Sequence, residues 1–236
     1  MSLSGELKSF IDIESQFMRD FQKKAPGTYR HCDTVAQLVD SVCNELPHLN
    51  RDALYPAAML HDVGKTLNPE YFCENQPKGE NIHDELDPSV SYQFISRHVS
   101  DSLMLLIQHT CVPRLVLEII SQHHGNSAIK SLCRDSKAPP FRYAGKPPQT
   151  PEACVLMLCD SIEAAARSKF TNNKLDDIDH LVKAITEDRI EDKQLDNLKI
   201  GELRVIREVL IKEIGKMYHK RVEYPEEGDN NNGIET

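Results

Sequence analysis

Apolar residues return every three or four positions along most of this chain, and no stretch alternates strictly. That is the signature of amphipathic helices rather than half-buried strands. Phe10, Ile13, Phe17 and Phe21 predict a first helix that stops before Pro26-Gly27. Thr28 is placed to cap a second, running to about Leu46, with Val35, Leu38 and Val42 on its apolar face and His31 one turn earlier on that face. Asn50 is placed to cap a third, which contains Pro56 and ends in Ala57-Ala58-Met59-Leu60 followed by His61-Asp62. Asp87-Pro88 opens another, with Val90, Phe94 and His98 four apart, and a short helix is predicted from Asp101 to Thr110. Pro113 opens the next, where Val116, Ile120 and His124 fall four apart, His123 stands beside the last, and Gly125 closes it. Thr150-Pro151-Glu152 opens a strongly apolar helix to about Phe170, in which Leu156, Met157, Glu163 and Ala164 flank Asp160. Two more helical stretches lie around 175–190 and 201–221. The predicted fold class is all-α, a single helical bundle.

Two polar segments interrupt this periodicity, 66–86 and 126–150, and loops of that length in a bundle are usually functional. The first carries His83 and the second Arg142, Tyr143 and Lys146. The tail from Glu226 is polar enough to be disordered. The division expected is therefore 1–25 as an N-terminal helix, either a linker or a start left by the expression vector, 26–225 as the domain, and 226–236 as a disordered tail.

A chain of 236 residues suits one domain with a sizeable core. A net charge of −9 without a basic run excludes a binder of duplex nucleic acid. A small anionic substrate stays open, because bound metal ions can dominate the local field. The seven cysteines form no CxxC pair, so they read as reduced thiols of a cytosolic protein, with Cys154 and Cys159 as small core residues. No apolar run approaches the ~18 residues of a membrane span, and the first ten residues lack a signal peptide's apolar centre.

A lone histidine on an apolar face is ordinarily a hydrogen-bonded core residue, and His-Asp pairs are common. Here five helices each deliver a ligand-type residue from an apolar face or a helix end: His31, His61 with Asp62, His98, His123 with His124, and Asp160. A buried unpaired carboxylate such as Asp160 calls for a metal or a strong donor. Five imidazoles and two carboxylates exceed the ligands of one zinc site. An N/O set without thiolate suits two octahedral ions, Fe or Mn, with water in the open positions. The two oxygens of Asp62 can touch two cations. Lys65 is then placed to meet a phosphate beside them, and Gly64 can supply a left-handed turn past the helix end.

The order His, His-Asp, His, His-His, Asp resembles the HD-domain phosphohydrolase superfamily in its two-metal variant. More narrowly, the chain resembles the C-terminal catalytic domain of the seven-transmembrane-receptor HD proteins, of the cyclic di-AMP phosphodiesterase type. The resemblance spans roughly Pro26 to Pro225 and rests on Pro26-Gly27-Thr28-Tyr29-Arg30-His31, His61-Asp62-Val63-Gly64-Lys65, Tyr71-Phe72-Cys73-Glu74-Asn75-Gln76, Phe141-Arg142-Tyr143 and Lys220-Arg221-Val222-Glu223-Tyr224-Pro225. Pro56, Cys32 and Ile82 depart from the usual pattern without removing a ligand. The resemblance implies that His31, His61, Asp62 and Asp160 hold one ion, while Asp62 bridges to a second held by His98, His123 and His124. It also implies a cytoplasmic setting, with a membrane-spanning portion upstream in a longer parent protein.

The implied reaction is hydrolysis of a cyclic dinucleotide to the linear 5′-phosphorylated product. Lys65 would stabilise charge on the phosphate, Arg142 and Lys146 are candidates for the second phosphate, and Tyr143 for stacking on a base. The plain alternative for these three is an ordinary surface loop. His83 is a candidate to protonate the leaving group or bind substrate, or else a solvated loop residue. His48, His109, His180 and His219 read as structural. His123-His124 is followed by Gly125-Asn126-Ser127, without the acidic residue and Gly-Tyr-Pro signature of the cyclic di-GMP branch, which favours cyclic di-AMP. The alternatives are hydrolysis of a mononucleotide or diadenosine polyphosphate, and a nucleotide-binding sensor without turnover.

Overall fold

The capping side chains mark the helix starts. The computed structural model describes residues 4–132, 141–172, 174–175 and 177–222, with the side chains of 131 and 219–222 excepted. Its helices are α1 (Gly5–Phe10), α2 (Gln16–Lys24), α3 (Pro26–Glu45), α4 (Arg51–Leu60), α5 (Pro88–Leu106), α6 (Arg114–Ser121), α7 (Pro151–Thr171), α8 (Ile178–Glu191) and α9 (Ile200–Val222). Asn50, Asp87 and Thr150 each accept a backbone N–H at the start of α4, α5 and α7, which satisfies a donor with no partner inside the helix. The chain is all-α, and among the described residues the one β feature is an isolated antiparallel bridge between Ala128 and Arg142.

α3 packs against α4, α7 and α9, and its Val35, Leu38, Val39 and Val42 are fully buried in the core. α7 is buried on all sides from Ala153 to Asp160, as a helix at the middle of a bundle must be. The cysteines among the described residues are unbonded, with Cys154 and Cys159 in the core.

Four local expectations are corrected. The first helix is two, because Ser15 caps α2 through the Met18 N–H and its hydroxyl donates to the Phe10 carbonyl, which turns the chain between them. Ile13 is consequently exposed. Thr28 does not cap α3, which begins at Pro26 without a cap from its own N-terminal side chains. Its first amides, Gly27 and Thr28, donate instead to Asn75 Oδ1 at 2.9 and 3.2 Å, from the loop beyond α4. The helix expected from Asp101 belongs to α5, where buried Asp101 accepts from Arg97 Nε one turn earlier at 3.0 Å. Finally, the segment 66–86 is not featureless: successive short 3-10 turns run through Val63–Leu67, Pro69–Tyr71, Cys73–Asn75 and Ile82–Asp84.

The expected tail, the opening Met1-Ser2-Leu3, Pro139-Pro140, Glu223-Tyr224-Pro225 and the side chain of His219 lie outside the described residues.

Candidate metal centre

α4 and α6 end alike, each handing two ligand-type residues to the turn that follows it. His61 Nδ1 lies 2.8 Å from the Ala58 carbonyl, and His123 Nδ1 lies 2.7 Å from the Ile120 carbonyl. His98, inside α5, repeats this with Ile95 at 2.5 Å. A carbonyl oxygen only accepts, so Nδ1 carries the proton in each ring and Nε2 of the neutral ring is left as a lone pair. His31, on α3, turns Nδ1 to the Glu163 carboxylate of α7 instead. Glu163 stands three residues beyond Asp160 on the same helix face, and Arg167 Nε donates to it.

The free nitrogens converge on two carboxylates. Asp62 Oδ2 lies 3.4 Å from His61 Nε2 and 3.7 Å from His31 Nε2, while Asp160 Oδ1 lies 3.0 Å from His31 Nε2. Asp62 Oδ1 faces the other way, 3.2 Å from His98 Nε2 and 3.7 Å from His123 Nε2. His124 presents Nδ1 to Asp160 Oδ2 at 3.5 Å. Among the described residues, two groups of potential ligand atoms therefore form, each within 4.8 Å: His31, His61, Asp62 and Asp160, and Asp62, His98, His123 and His124. Asp62 belongs to both. His61 Nε2 and Asp62 Oδ1 are buried with no hydrogen-bond partner, and buried polar atoms are seldom left so. One of these atoms belongs to each ligand group, and an unpartnered buried acceptor in each fits a cation there; the N/O donor set suits a divalent one.

The electrostatics divide along the same line. Burial opposes charge on Asp62 and Asp160, but neighbouring cations and hydrogen bonds outweigh it and hold both carboxyls well below the usual range. Burial also opposes a charged His31, yet Glu163 and Asp160 lift it to about 10. In the second group burial prevails, aided by neighbouring histidines, and holds His123 down at about 3 and His124 well below its usual value. Those two rings are neutral, the form that ligates metal.

Lys65 reaches back from the turn after Asp62, its Nζ 2.7 Å from Asp62 Oδ2 and 2.9 Å from Glu74 Oε1, and 4.9 Å from the centre of the Phe72 ring. Gly64 does not adopt the left-handed conformation expected of it. A Cβ there would collide with the His98 carbonyl and the Ser102 amide, so glycine is required by the close approach of α5. Gly125, at φ +53°, does occupy the left-handed region.

The remaining candidates are placed apart from the ligand groups or at their edge. Tyr143 stacks on His124, with centroids 4.2 Å apart and planes at 19°. Arg142 is held by Asp192 at 2.5 Å and the Asn126 carbonyl at 2.7 Å, beside a separate cavity of about 270 Å³. Lys146 is exposed. His83 Nε2 lies 2.7 Å from the Tyr71 carbonyl, in the loop after α4. Sequence reasoning missed Glu163, Glu74 and Asn75 as partners of the site. Glu163 was legible, because a residue three beyond Asp160 shares its helix face. The other two act across the fold.

Residues 28–165 match the HD domain family. The cyclic-di-AMP phosphodiesterase PgpH of Listeria monocytogenes serotype 1/2a (strain 10403S) is 36% identical over 235 residues, covering 96% of this chain and 32% of the relative. That of Bacillus subtilis (strain 168) is 35% identical over 218 residues, covering 89% and 30%. The chain thus spans about a third of the length of the curated relatives it matches. The crystal structure of the L. monocytogenes phosphodiesterase PgpH HD domain superposes with a TM-score of 0.79 at 32% identity, covering 87% of this chain and 100% of that one. The same domain in complex with cyclic-di-AMP gives 0.78 at 32% identity, covering 88% and 100%.

Proposed function

This chain belongs to the HD domain family, and we propose that it is a dinuclear phosphodiesterase that opens cyclic di-AMP to the linear 5′-phosphorylated dinucleotide. The observation that carries the reading is the sharing of Asp62 between two ligand groups. His31, His61, Asp62 and Asp160 would hold one ion and Asp62, His98, His123 and His124 the other, with Fe or Mn favoured by the absence of thiolate. When bound, such a pair of divalent ions activates water at neutral pH and withdraws charge from the phosphate.

The chain's own residues do the rest. The Nδ1 bonds to Ala58, Ile95, Ile120 and Glu163 fix four of the five imidazoles before a cation arrives, and such outer partners sharpen ligand geometry. Lys65, retained by Glu74, neutralises a non-bridging phosphate oxygen as the water oxygen–phosphorus bond forms and the bond from phosphorus to the 3′ oxygen breaks. The departing 3′ oxygen takes up a proton, and His83 remains the proposed donor. Tyr143 offers an aromatic surface at the mouth, Arg142 steadies the strand of chain that presents it, and Lys146 contributes positive charge at the rim. The cytoplasmic setting and the upstream membrane-spanning portion of a longer parent are part of the same proposal.

The test is purified protein with Mn²⁺ and a panel of cyclic di-AMP, cyclic di-GMP, mononucleotides and diadenosine polyphosphates. Conversion of cyclic di-AMP to the linear product supports the reading. Failure to cleave it, with or without turnover of the other nucleotides, overturns it.

A further inference from the structure

Four of the five candidate imidazoles are held by an outer bond through Nδ1. His124 is the exception, because it turns Nδ1 inward, toward Asp160 Oδ2. Among the described residues no hydrogen bond fixes its ring, and the aromatic face stacked on it is that of Tyr143. A ligand without an outer partner needs its aim set some other way.

The chain around His124 is gripped from the end of α8. Lys193 N–H donates to the Ile190 carbonyl and Gln194 N–H to the Arg189 carbonyl, both at 2.9 Å. That pair of bonds closes a helix whose next residue is left-handed. Here the residue is Lys193, at φ +57°, the one non-glycine with positive φ among the described residues. A side chain in that conformation is retained only where its surroundings over-determine the turn.

The turn delivers the residues on either side of Lys193 to the segment after α6. Asp192 Oδ1 accepts from Arg142 at 2.5 Å, and Arg142 Nε donates to the Asn126 carbonyl at 2.7 Å. Gln194, 1% exposed, donates through Nε2 to Asn126 Oδ1 at 2.7 Å. Its Oε1 lies over Gly125, where a Cβ would collide with it. Tyr143 in turn donates its N–H to the Ser127 carbonyl at 3.0 Å. The backbone that follows His124 and the ring that stacks on it are thus tied to the same two side chains.

We propose that Asp192 and Gln194 are positioning residues for the second ion, setting the aim of His124 through Asn126 and through Arg142 and Tyr143. The inference rests on the reading of the site as dinuclear. The first ligand group hangs from α3, α7 and the end of α4, none of which carries Asn126, Arg142 or Tyr143. The clamp therefore bears on one ion and not the other.

Equilibrium titration of the metal-free protein with Mn²⁺, read by the electron paramagnetic resonance of the unbound ion, counts the sites and gives each affinity. Gln194→Met keeps much of the buried volume and loses the donated bonds, while Asp192→Ala releases Arg142 from a partly exposed position. Each is expected to weaken one ion about tenfold, the scale of losing an outer partner, and to leave the other within about twofold. Asp192→Asn keeps an oxygen for Arg142 and should bind both ions as the wild type does. Equal weakening of both ions, no change in either, or an asparagine variant as weak as the alanine one would overturn the inference while leaving the dinuclear reading intact. A wild-type protein that binds fewer than two ions would overturn the dinuclear reading and this one with it.

Discussion

Asp62 Oδ1 lies 3.2 Å from His98 Nε2, yet the pair makes no hydrogen bond, because His98 places its ring proton on the Ile95 carbonyl through Nδ1. In the neutral ring the facing atoms are both acceptors. They repel unless something positive stands between them. The carboxylate's other oxygen faces His61 Nε2 at 3.4 Å, where Lys65 Nζ already stands 2.7 Å from it. One side chain therefore has obligations to two groups. Asp62→Ala is expected to deprive the protein of both ions, whereas His98→Ala removes only the one on its own side. Metal analysis of each variant after equilibration with Mn²⁺ and dialysis reads the difference. Retention of both ions by Asp62→Ala would refute the bridging assignment.

Glu74 carries a pH signature. Burial would raise its carboxyl, but Lys65, Arg167 and His31 outweigh burial and hold it at about 2, against an ordinary value of 4.5. A depressed carboxyl contributes stability that is fully present above its unfolded value and is lost as pH falls through the folded one. The window is therefore from about pH 4.5 down to about 2. Across it, the thermal midpoint of the wild type should fall more steeply than that of Glu74→Gln. Parallel curves for the two proteins would show that the contribution is absent.

Gly64 separates a steric requirement from a conformational one. Because its φ is negative and its neighbour is the backbone of α5, alanine is not strained in itself but pushes α5 outward. Gly64→Ala should cost roughly 1–3 kcal/mol, the usual range for overpacking a fixed site, as measured by urea unfolding. It should weaken ion binding as well, since His98 rides on the displaced helix. A cost within ~0.5 kcal/mol, as for an ordinary surface change, would mean that α5 yields freely.

Periodicity carried the sequence reading far. His31, His98 and Asp160 were legible because each falls on an apolar helix face where an aliphatic residue would be expected, and the His-Asp and His-His pairs because each follows an apolar run. The same signal misled at the N-terminus, where Phe10, Phe17 and Phe21 keep a helical spacing across a break that Ser15 makes. It misled again at Asp101, whose charge suggested a helix start although Arg97 neutralises it in the middle of α5. Gly64 was recognised as necessary for the wrong reason, since a close approach between elements leaves no mark on the local sequence. Glu74 and Asn75 stood in a motif that carried the family resemblance, but their roles were out of reach: their partners Thr28 and Gly27 lie 46 to 48 residues away, and only the folded chain introduces them.

The cap that Asn75 places on α3 has a consequence for how the protein reports on itself. The amides of Gly27 and Thr28 are protected from solvent exchange only while the Cys73–Asn75 turn is seated on them, and that turn stays seated partly through Glu74 and its hold on Lys65. Opening of the segment over Asp62 and the loosening of those two amides are thus one event. Their deuterium uptake is a clock for the comings and goings at the site, readable one turn before His31 on the same helix.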